Sequence, residues 1–399
     1  MRAIELFAGI GGFRLGLQRS GISVIWANDI DAKCCAVYRH HFGDSSIVCD
    51  DICDRKGDMP EHDLLTAGFP CQPFSAAGKK QGIRDRMRGT LFAEIVEILE
   101  ARQPAVFILE NVKRLLTMED GQHFKVILSA LTRAGYSIEW RLLNANCFGL
   151  AQNRERVFLV GKRNADWTDL SLEVFASDHS VLALPGELHI SRSLFRSASL
   201  SELTQPLEKY RHRFGTYGIS FQGQTLAFDV GELAPQKPVR LLRDILEDEP
   251  DPCFDFTDAT NGWVQKNTKV NAFINGVEIL SNQEGGRRMG YTIFGDGGLA
   301  PTLTATTSRH YERYCIRGRY RRLTNKEYAR LQGFPDDWCT MVSVYDQYAL
   351  FGNAVPPAMV EWVASQLLSR ILPVQRKDEP CQISERNAAK LSAPVSIRS

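Results

Sequence analysis

The stretch Glu5-Leu6-Phe7-Ala8-Gly9-Ile10-Gly11-Gly12-Phe13 decides the fold. An apolar run enters a cluster of glycines and leaves into a helical pattern, the turn by which an α/β sheet brings its backbone close to a ligand. A nucleotide-type cofactor is the natural occupant. A dinucleotide fingerprint needs another glycine at position 14, where Arg14 stands, and so large a side chain crowds the pyrophosphate path. Twenty residues after Gly9, Asp29 closes the second apolar run, where an acidic side chain accepts ribose hydroxyls. Ribose binding without pyrophosphate binding points to S-adenosylmethionine.

Outward from that turn, short apolar runs alternate with helical patterns through residue 163, the signature of a doubly wound sheet of parallel strands. The expected strands are Ala3 to Phe7, Val24 to Ala27, Leu64 to Gly68, Val106 to Leu109 and Val157 to Gly161. Between them Phe92, Ile95, Val96 and Leu99 keep helical spacing, as do Phe124, Ile127, Leu128 and Leu131. After Arg163 the alternation fades among Gly, Pro, Ser and Thr. Helical patterning returns at Thr324 to Gln332 and from Pro357 to Leu372, where Val360, Val363, Leu367 and Ile371 share a face that can pack back onto the first sheet. The domain reading is therefore a catalytic and cofactor-binding unit over 1–165, a smaller irregular unit over 166–320, a return to the first unit over 321–373, and a disordered tail over 374–399.

Composition narrows the class. A chain of 399 residues, 44% hydrophobic and 24% charged, has room for two globular domains. No stretch approaches the roughly 18 to 20 apolar residues of a membrane-spanning helix, and no signal-peptide core follows Met1, so a cytoplasmic protein is expected. The ten cysteines are scattered without zinc-ligand spacing, which implies a reduced compartment and no metal site. A net charge of +1 conceals an acidic stretch, Asp244 to Asp258, with seven carboxylates and no Lys or Arg. From Glu284 to Leu331 ten Lys or Arg face four acids, as on a phosphate-facing surface.

Three motifs sit at strand ends. Gly68-Phe69-Pro70-Cys71-Gln72-Pro73-Phe74-Ser75 follows one strand, Glu110-Asn111-Val112 follows another, and Gln152-Asn153-Arg154-Glu155-Arg156 precedes a third. Arg330-Leu331-Gln332-Gly333-Phe334-Pro335 and Gly352-Asn353-Ala354-Val355 complete the series. With the glycine turn, these motifs resemble, in order, those of the cytosine-C5 DNA methyltransferases, over residues 2–165 and 320–370. The resemblance implies a Rossmann-like S-adenosylmethionine-dependent methyltransferase domain with a target recognition domain. It makes Cys71 the nucleophile at cytosine C6, Glu110 the acid at N3, and Arg154 and Arg156 the pair that fixes the pyrimidine carbonyl and supports the catalytic carboxylate or thiolate electrostatically. Phe7, Gly9, Gly11, Asp29, Ile30, Asp51, Ile52, Pro70, Asn353 and Val355 are implied to line the cofactor site. Ile30 stands where many members carry an aromatic.

A base inside a duplex offers neither face to a nucleophile and a methyl donor, so it must be swung out. The segment Gly78 to Gly89, with Lys79, Lys80, Arg84, Arg86 and Arg88, resembles the family's mobile catalytic loop; these residues and Ser75 are expected at phosphates. Pro301-Thr302-Leu303-Thr304 resembles an element of recognition domains. Arg287, Arg288, Arg309, Arg313, Arg317 and Arg319 are candidates for phosphate or guanine contacts, and the acidic stretch should face away from DNA. The expected partner is double-stranded DNA, with a separate restriction endonuclease, and the expected state is a monomer of prokaryotic restriction-modification type at the nucleoid. A tRNA cytosine-C5 methyltransferase and a catalytically silent DNA-binding homologue are the alternatives.

Overall fold

A computed structural model describes residues 1–70, 90–163, 180–184, 187, 195–197, 214–222, 224–264, 267–283, 289–305 and 312–371. Ten of its strands form one sheet: β1 (Arg2–Leu6), β2 (Ser23–Asp29), β3 (Val48–Cys49), β4 (Leu64–Gly68), β5 (Val106–Val112), β6 (Tyr136–Asn144), β7 (Glu155–Arg163), β8 (Phe195–Ser197), β9 (Tyr217–Phe221) and β10 (Gln224–Phe228). Their order is 3-2-1-4-5-7-6-9-10-8. Strands β1 to β5 are mutually parallel, as expected. The strand expected at Val157 to Gly161 departs from that pattern: β7 runs antiparallel to both β5 and β6.

Helices cover both faces. In β1, Ile4 and Leu6 point into one core, shared with Phe92, Ile95, Val96 and Leu99 of α3 (Leu91–Arg102) and Phe124, Ile127, Leu128 and Leu131 of α4 (Gln122–Arg133). Ala3 points the other way, with Phe13 and Leu17 of α1 (Gly12–Arg19) and Val360, Val363 and Leu367 of α7 (Pro357–Ile371). The C-terminal helix does return to the first sheet, and closely: a Cβ on Gly16 would lie 2.6 Å from the Pro357 carbonyl oxygen. The remaining longer helices are α2 (Ala32–Phe42), α5 (Asn325–Gln332) and α6 (Val344–Asn353). Thr324 begins α5 with a capping box, its hydroxyl accepting from Glu327 N while the Glu327 carboxylate accepts from Thr324 N.

The sheet continues past Arg163. β9 pairs with β6, and β10 with β9, so part of the segment 166–320 extends the first sheet. A second, five-stranded sheet follows: β11 (Thr268–Ile274), β12 (Val277–Asn282), β13 (Thr292–Phe294), β14 (Arg313–Ile316) and β15 (Arg319–Arg321). A third apolar cluster joins Phe294, Leu299, Leu303 and Tyr314 of this region to Leu331, Phe334, Trp338 and Phe351, and to Ile10 in the glycine turn. No helix among the described residues is long and apolar enough to cross a membrane.

Candidate active site

The antiparallel course of β7 explains why one motif precedes its strand while the others follow theirs. The C-terminal end of β5 and the N-terminal end of β7 lie on the same edge of the sheet, with Val112 paired to Arg156. Open α/β sheets bind ligands at that edge. Glu110 and Arg156 meet there, Arg156 Nε lying 2.9 Å from Glu110 Oε1. Arg156 also donates Nη1 to the Glu155 carbonyl at 2.8 Å. Burial raises the Glu110 carboxyl above its ordinary range, and the guanidinium groups of Arg156 and Arg154 offset part of that shift. Burial thus favours the protonated carboxyl, and the neighbouring guanidinium groups favour the ionised one.

Gly68 is the register partner of Glu110 across β4 and β5. A Cβ at Gly68 would stand 3.5 Å from Glu110 Oε2 and 3.3 Å from Val355 Cγ2, so glycine leaves room for both. Asn111 donates Nδ2 to the Phe69 carbonyl at 2.9 Å, fixing the exit of β4 two residues before Cys71. That role of Asn111 escaped the sequence reading, which stopped at Glu110 within the same motif. Cys71, Ser75, Lys79, Lys80, Arg84, Arg86 and Arg88 lie outside the described residues. Pro70 is exposed at the edge.

Arg154 also makes direct bonds to backbone. It is 1% exposed and gives Nη1 to the Leu303 carbonyl (3.1 Å) and Nη2 to those of Gly352 (2.9 Å) and Ala354 (3.0 Å). Its neighbour Gln152 is equally buried, donating to the Leu331 carbonyl at 2.6 Å. Both side chains tie backbone segments together.

On the cofactor side, Phe7 and Gly9 both take φ 53, and Gly11 takes φ 85. A left-handed Phe7 ends β1 one residue earlier than the apolar run suggested. Asp29 Oδ2 accepts from Gly9 N at 2.7 Å and Oδ1 from Asp31 N at 2.9 Å. Each oxygen keeps acceptor capacity for a hydroxyl. Burial raises this carboxyl, the two backbone bonds opposing the shift. Ile30, beside it, is 69% exposed, available to a flat ring. Asp51 caps the single turn Ile52–Arg55, accepting from Cys53 N at 2.9 Å, whereas the Ile52 side chain is buried in the core and has only its backbone to offer a ligand. Asn353 is exposed and Val355 half-buried. Arg14 is turned aside, its guanidinium 4.4 Å from the Phe42 ring centroid. Trp338, which the sequence did not flag, donates Nε1 to the Ile10 carbonyl at 2.9 Å and stacks on His41, ring centroids 3.6 Å apart. These residues fit a ribosyl cofactor with an exposed adenine face.

Of the recognition-domain candidates, Arg287, Arg288 and Arg309 lie outside the described residues. Arg319 is held by Asp255, with Nε–Oδ1 at 2.6 Å and Nη2–Oδ2 at 2.8 Å, and Arg317 lies 3.7 Å from Asp248. Two of the arginines expected at DNA thus face the acidic stretch, Arg319 paired with it and Arg317 near it. Arg313 opens β14 and is half-buried.

The sheet order, the carboxyl-guanidinium pair and the glycine turn define a methyltransferase-like α/β enzyme. The chain belongs to the family described as C-5 cytosine-specific DNA methylase, whose model matches residues 1–369. It is an enzyme of that family, a DNA cytosine-C5 methyltransferase. It is 32% identical over 374 residues to the type II methyltransferase M.NlaX of Neisseria lactamica, covering 92% of this chain and 96% of that protein. M.HhaI of Haemophilus parahaemolyticus is 28% identical over 375 residues, covering 93% and 95%. The crystal structure of S. pombe Dnmt2 shares the fold, with a TM-score of 0.58 and 19% identity over 92% of this chain and 98% of that one.

Proposed function

We propose that the protein methylates C5 of a cytosine swung out of a specific duplex DNA sequence, through a covalent bond between Cys71 and C6. The observation that carries this reading is the buried Glu110–Arg156 pair set against Gly68, three positions before Cys71. C5 of cytosine is too weak a nucleophile until a group adds at C6 and makes it enamine-like. A thiolate adds readily and leaves readily. Charge driven toward N3 by that addition is met by the Glu110 carboxyl, and Arg156 holds the pyrimidine carbonyl. Loss of the C5 proton and departure of the thiolate then free the product.

S-adenosylmethionine supplies, when bound, a methyl group activated on sulfonium. The glycine turn at Phe7, Gly9 and Gly11 gives it backbone, Asp29 its ribose acceptor and Ile30 an adenine contact. Asp51, the Ile52 backbone, Pro70, Asn353 and Val355 complete the lining. Ser75, Lys79, Lys80, Arg84, Arg86 and Arg88 contact phosphates, and the second sheet carries base recognition. We read the protein as a monomer in the cytoplasm, acting on nucleoid DNA beside a separate endonuclease.

Methyl incorporation into duplex DNA and into tRNA, with wild type and Cys71→Ser, tests the reading. Wild type should label duplex DNA alone. Cys71→Ser should remain folded and inactive, because a serine hydroxyl without a base is not ionised near neutral pH. Turnover by the serine variant sinks the covalent route. Glu110→Gln should slow transfer by roughly 100 to 10,000-fold.

A further inference from the structure

Three parts of the molecule converge on Gly352–Val355, two of them backbone against backbone. A Cβ on Gly352 would lie 2.3 Å from the Thr304 carbonyl oxygen and 2.7 Å from Ala305 N. One on Gly12, in the glycine turn, would lie 2.2 Å from the Val355 carbonyl oxygen, and one on Gly68, at the end of β4, would lie 3.3 Å from Val355 Cγ2. Arg154 closes this junction, joining Leu303 to Gly352 and Ala354 through its two terminal nitrogens. Its flanks bind the same segments. Asn153 N donates to the Ala300 carbonyl at 2.8 Å, and Thr302 Oγ1 donates to the Asn153 carbonyl at 2.6 Å. Behind them, Gln332 Nε2 reaches the Phe351 carbonyl at 2.7 Å.

We propose that Arg154 is a positioning residue: it clasps the 303–305 segment to the 352–355 segment, and the flipped base is held without it. This assignment rests on the cytosine chemistry proposed above. Turning the terminal nitrogens of Arg154 toward a base would strand three carbonyls in a closed interior, each bearing its full desolvation cost. Arg156 is differently placed, because its direct partner is the catalytic carboxyl. Arg154 therefore acts through Gly352–Val355, which registers the glycine turn against the strand leading into Cys71. Loosening it should misplace cofactor against base without removing either.

The chemistry separates the two roles. Thiolate addition at C6 lets C5 take a deuteron from D2O; loss of the original C5 proton and departure of the thiolate then return cytosine deuterated at C5. This exchange needs no methyl donor. Exchange and methyl transfer are measured on saturating duplex, and the KM values for duplex and for S-adenosylmethionine by varying each in turn, for wild type, Arg154→Lys, Arg154→Met and Arg156→Lys. In both Arg154 variants, exchange should stay within about threefold of wild type, while methyl transfer falls by roughly 100-fold, the scale of an ångström-sized misplacement, and KM for S-adenosylmethionine rises. Lysine should not rescue, since one ammonium cannot span both segments. Arg156→Lys should lose exchange and transfer together. If the Arg154 variants fail to fold, Gly352→Ala loads the same junction from its other side and should give the same split. Exchange lost as completely as in Arg156→Lys would make Arg154 a base contact and overturn the proposal. Absence of exchange in wild type would instead overturn the covalent chemistry beneath it.

Discussion

Glu5 shows how far one buried residue can depart from its solution behaviour. It has no exposed surface in β1, and Oε2 accepts from the Tyr38 hydroxyl at 2.8 Å. Burial lifts its carboxyl from 4.5 to about 8, against the opposing pull of that hydroxyl and of Arg14. Between those two values the folded protein holds a proton that the unfolded chain has released. Stability must therefore fall as pH rises through that window. Glu5→Gln removes the titration and keeps an acceptor for Tyr38. Glu110, also raised, is common to both proteins, and Asp29, whose charge adds to the rise at Glu5, is the one raised neighbour the substitution touches. The variant should melt above wild type near pH 8 and lose that advantage near pH 5, by calorimetry at a series of pH values. A difference in melting temperature that ignores pH would mean the Glu5 carboxyl does not titrate there.

At the scale of elements, glycines in neighbouring strands make room for large side chains. A Cβ on Gly218 in β9 would fall 2.0 Å from Cζ2 of Trp140 in β6, whose Nε1 is fixed to the Phe214 carbonyl at 3.0 Å. Gly218→Ala should cost about 1–3 kcal/mol, the usual penalty for overpacking, read from urea denaturation. A cost below about 0.5 kcal/mol would mean that the β6–β9 contact yields. The same strand shows why the sequence was only partly legible. β1, β2, β4, β5 and β7 are nearly unbroken apolar runs and could be read directly. β6 interrupts its pattern with Glu139 and Arg141, which look solvent-facing yet are 3% and 0% exposed. Glu139 is satisfied by Ser180, Tyr217 and the backbone N–H groups of Val181 and Leu182, and Arg141 by the Leu182 carbonyl and Glu187. Such partners lie 41 or more residues away in sequence, beyond the reach of periodicity. For the same reason the backbone acceptors of Arg154, the carbonyls of Leu303, Gly352 and Ala354, are displayed by no motif.

Across the whole molecule, the topology of the second sheet sorts the arginines. β13 and β14 are parallel, pairing Ile293 with Arg313, and β12 meets β13 with Asn282 opposite Thr292. The β12–β13 connection, which carries Arg287 and Arg288, therefore leaves and re-enters the sheet at the end marked by Asn282 and Thr292, whereas the β13–β14 crossover, which carries Arg309, leaves at Phe294 and re-enters at Arg313 beside that first end. The β14–β15 turn at Arg317 and Gly318 is at the other end, beside Asp248 and Asp255. A polyanion is repelled by the Asp248 and Asp255 carboxylates at the other end, so DNA should meet the first end. Alanine at Arg287, Arg288 or Arg309 should then either relax the methylated sequence at one position or weaken binding to all sequences and flatten its salt dependence. Arg319→Ala should leave the target unchanged, because its guanidinium is spent on Asp255. The fold also dictates how a specificity exchange must be cut. Replacing everything from about residue 170 would remove β9 and β10 from the catalytic sheet, whereas replacing 268–316 exchanges only β11 to β14 and their connections. A chimera of that kind, with Arg319 and Asp255 retained, should methylate the donor's sequence with Cys71 chemistry intact, by bisulfite mapping of plasmid DNA. A folded, active chimera that still marks the original site would place recognition outside this sheet.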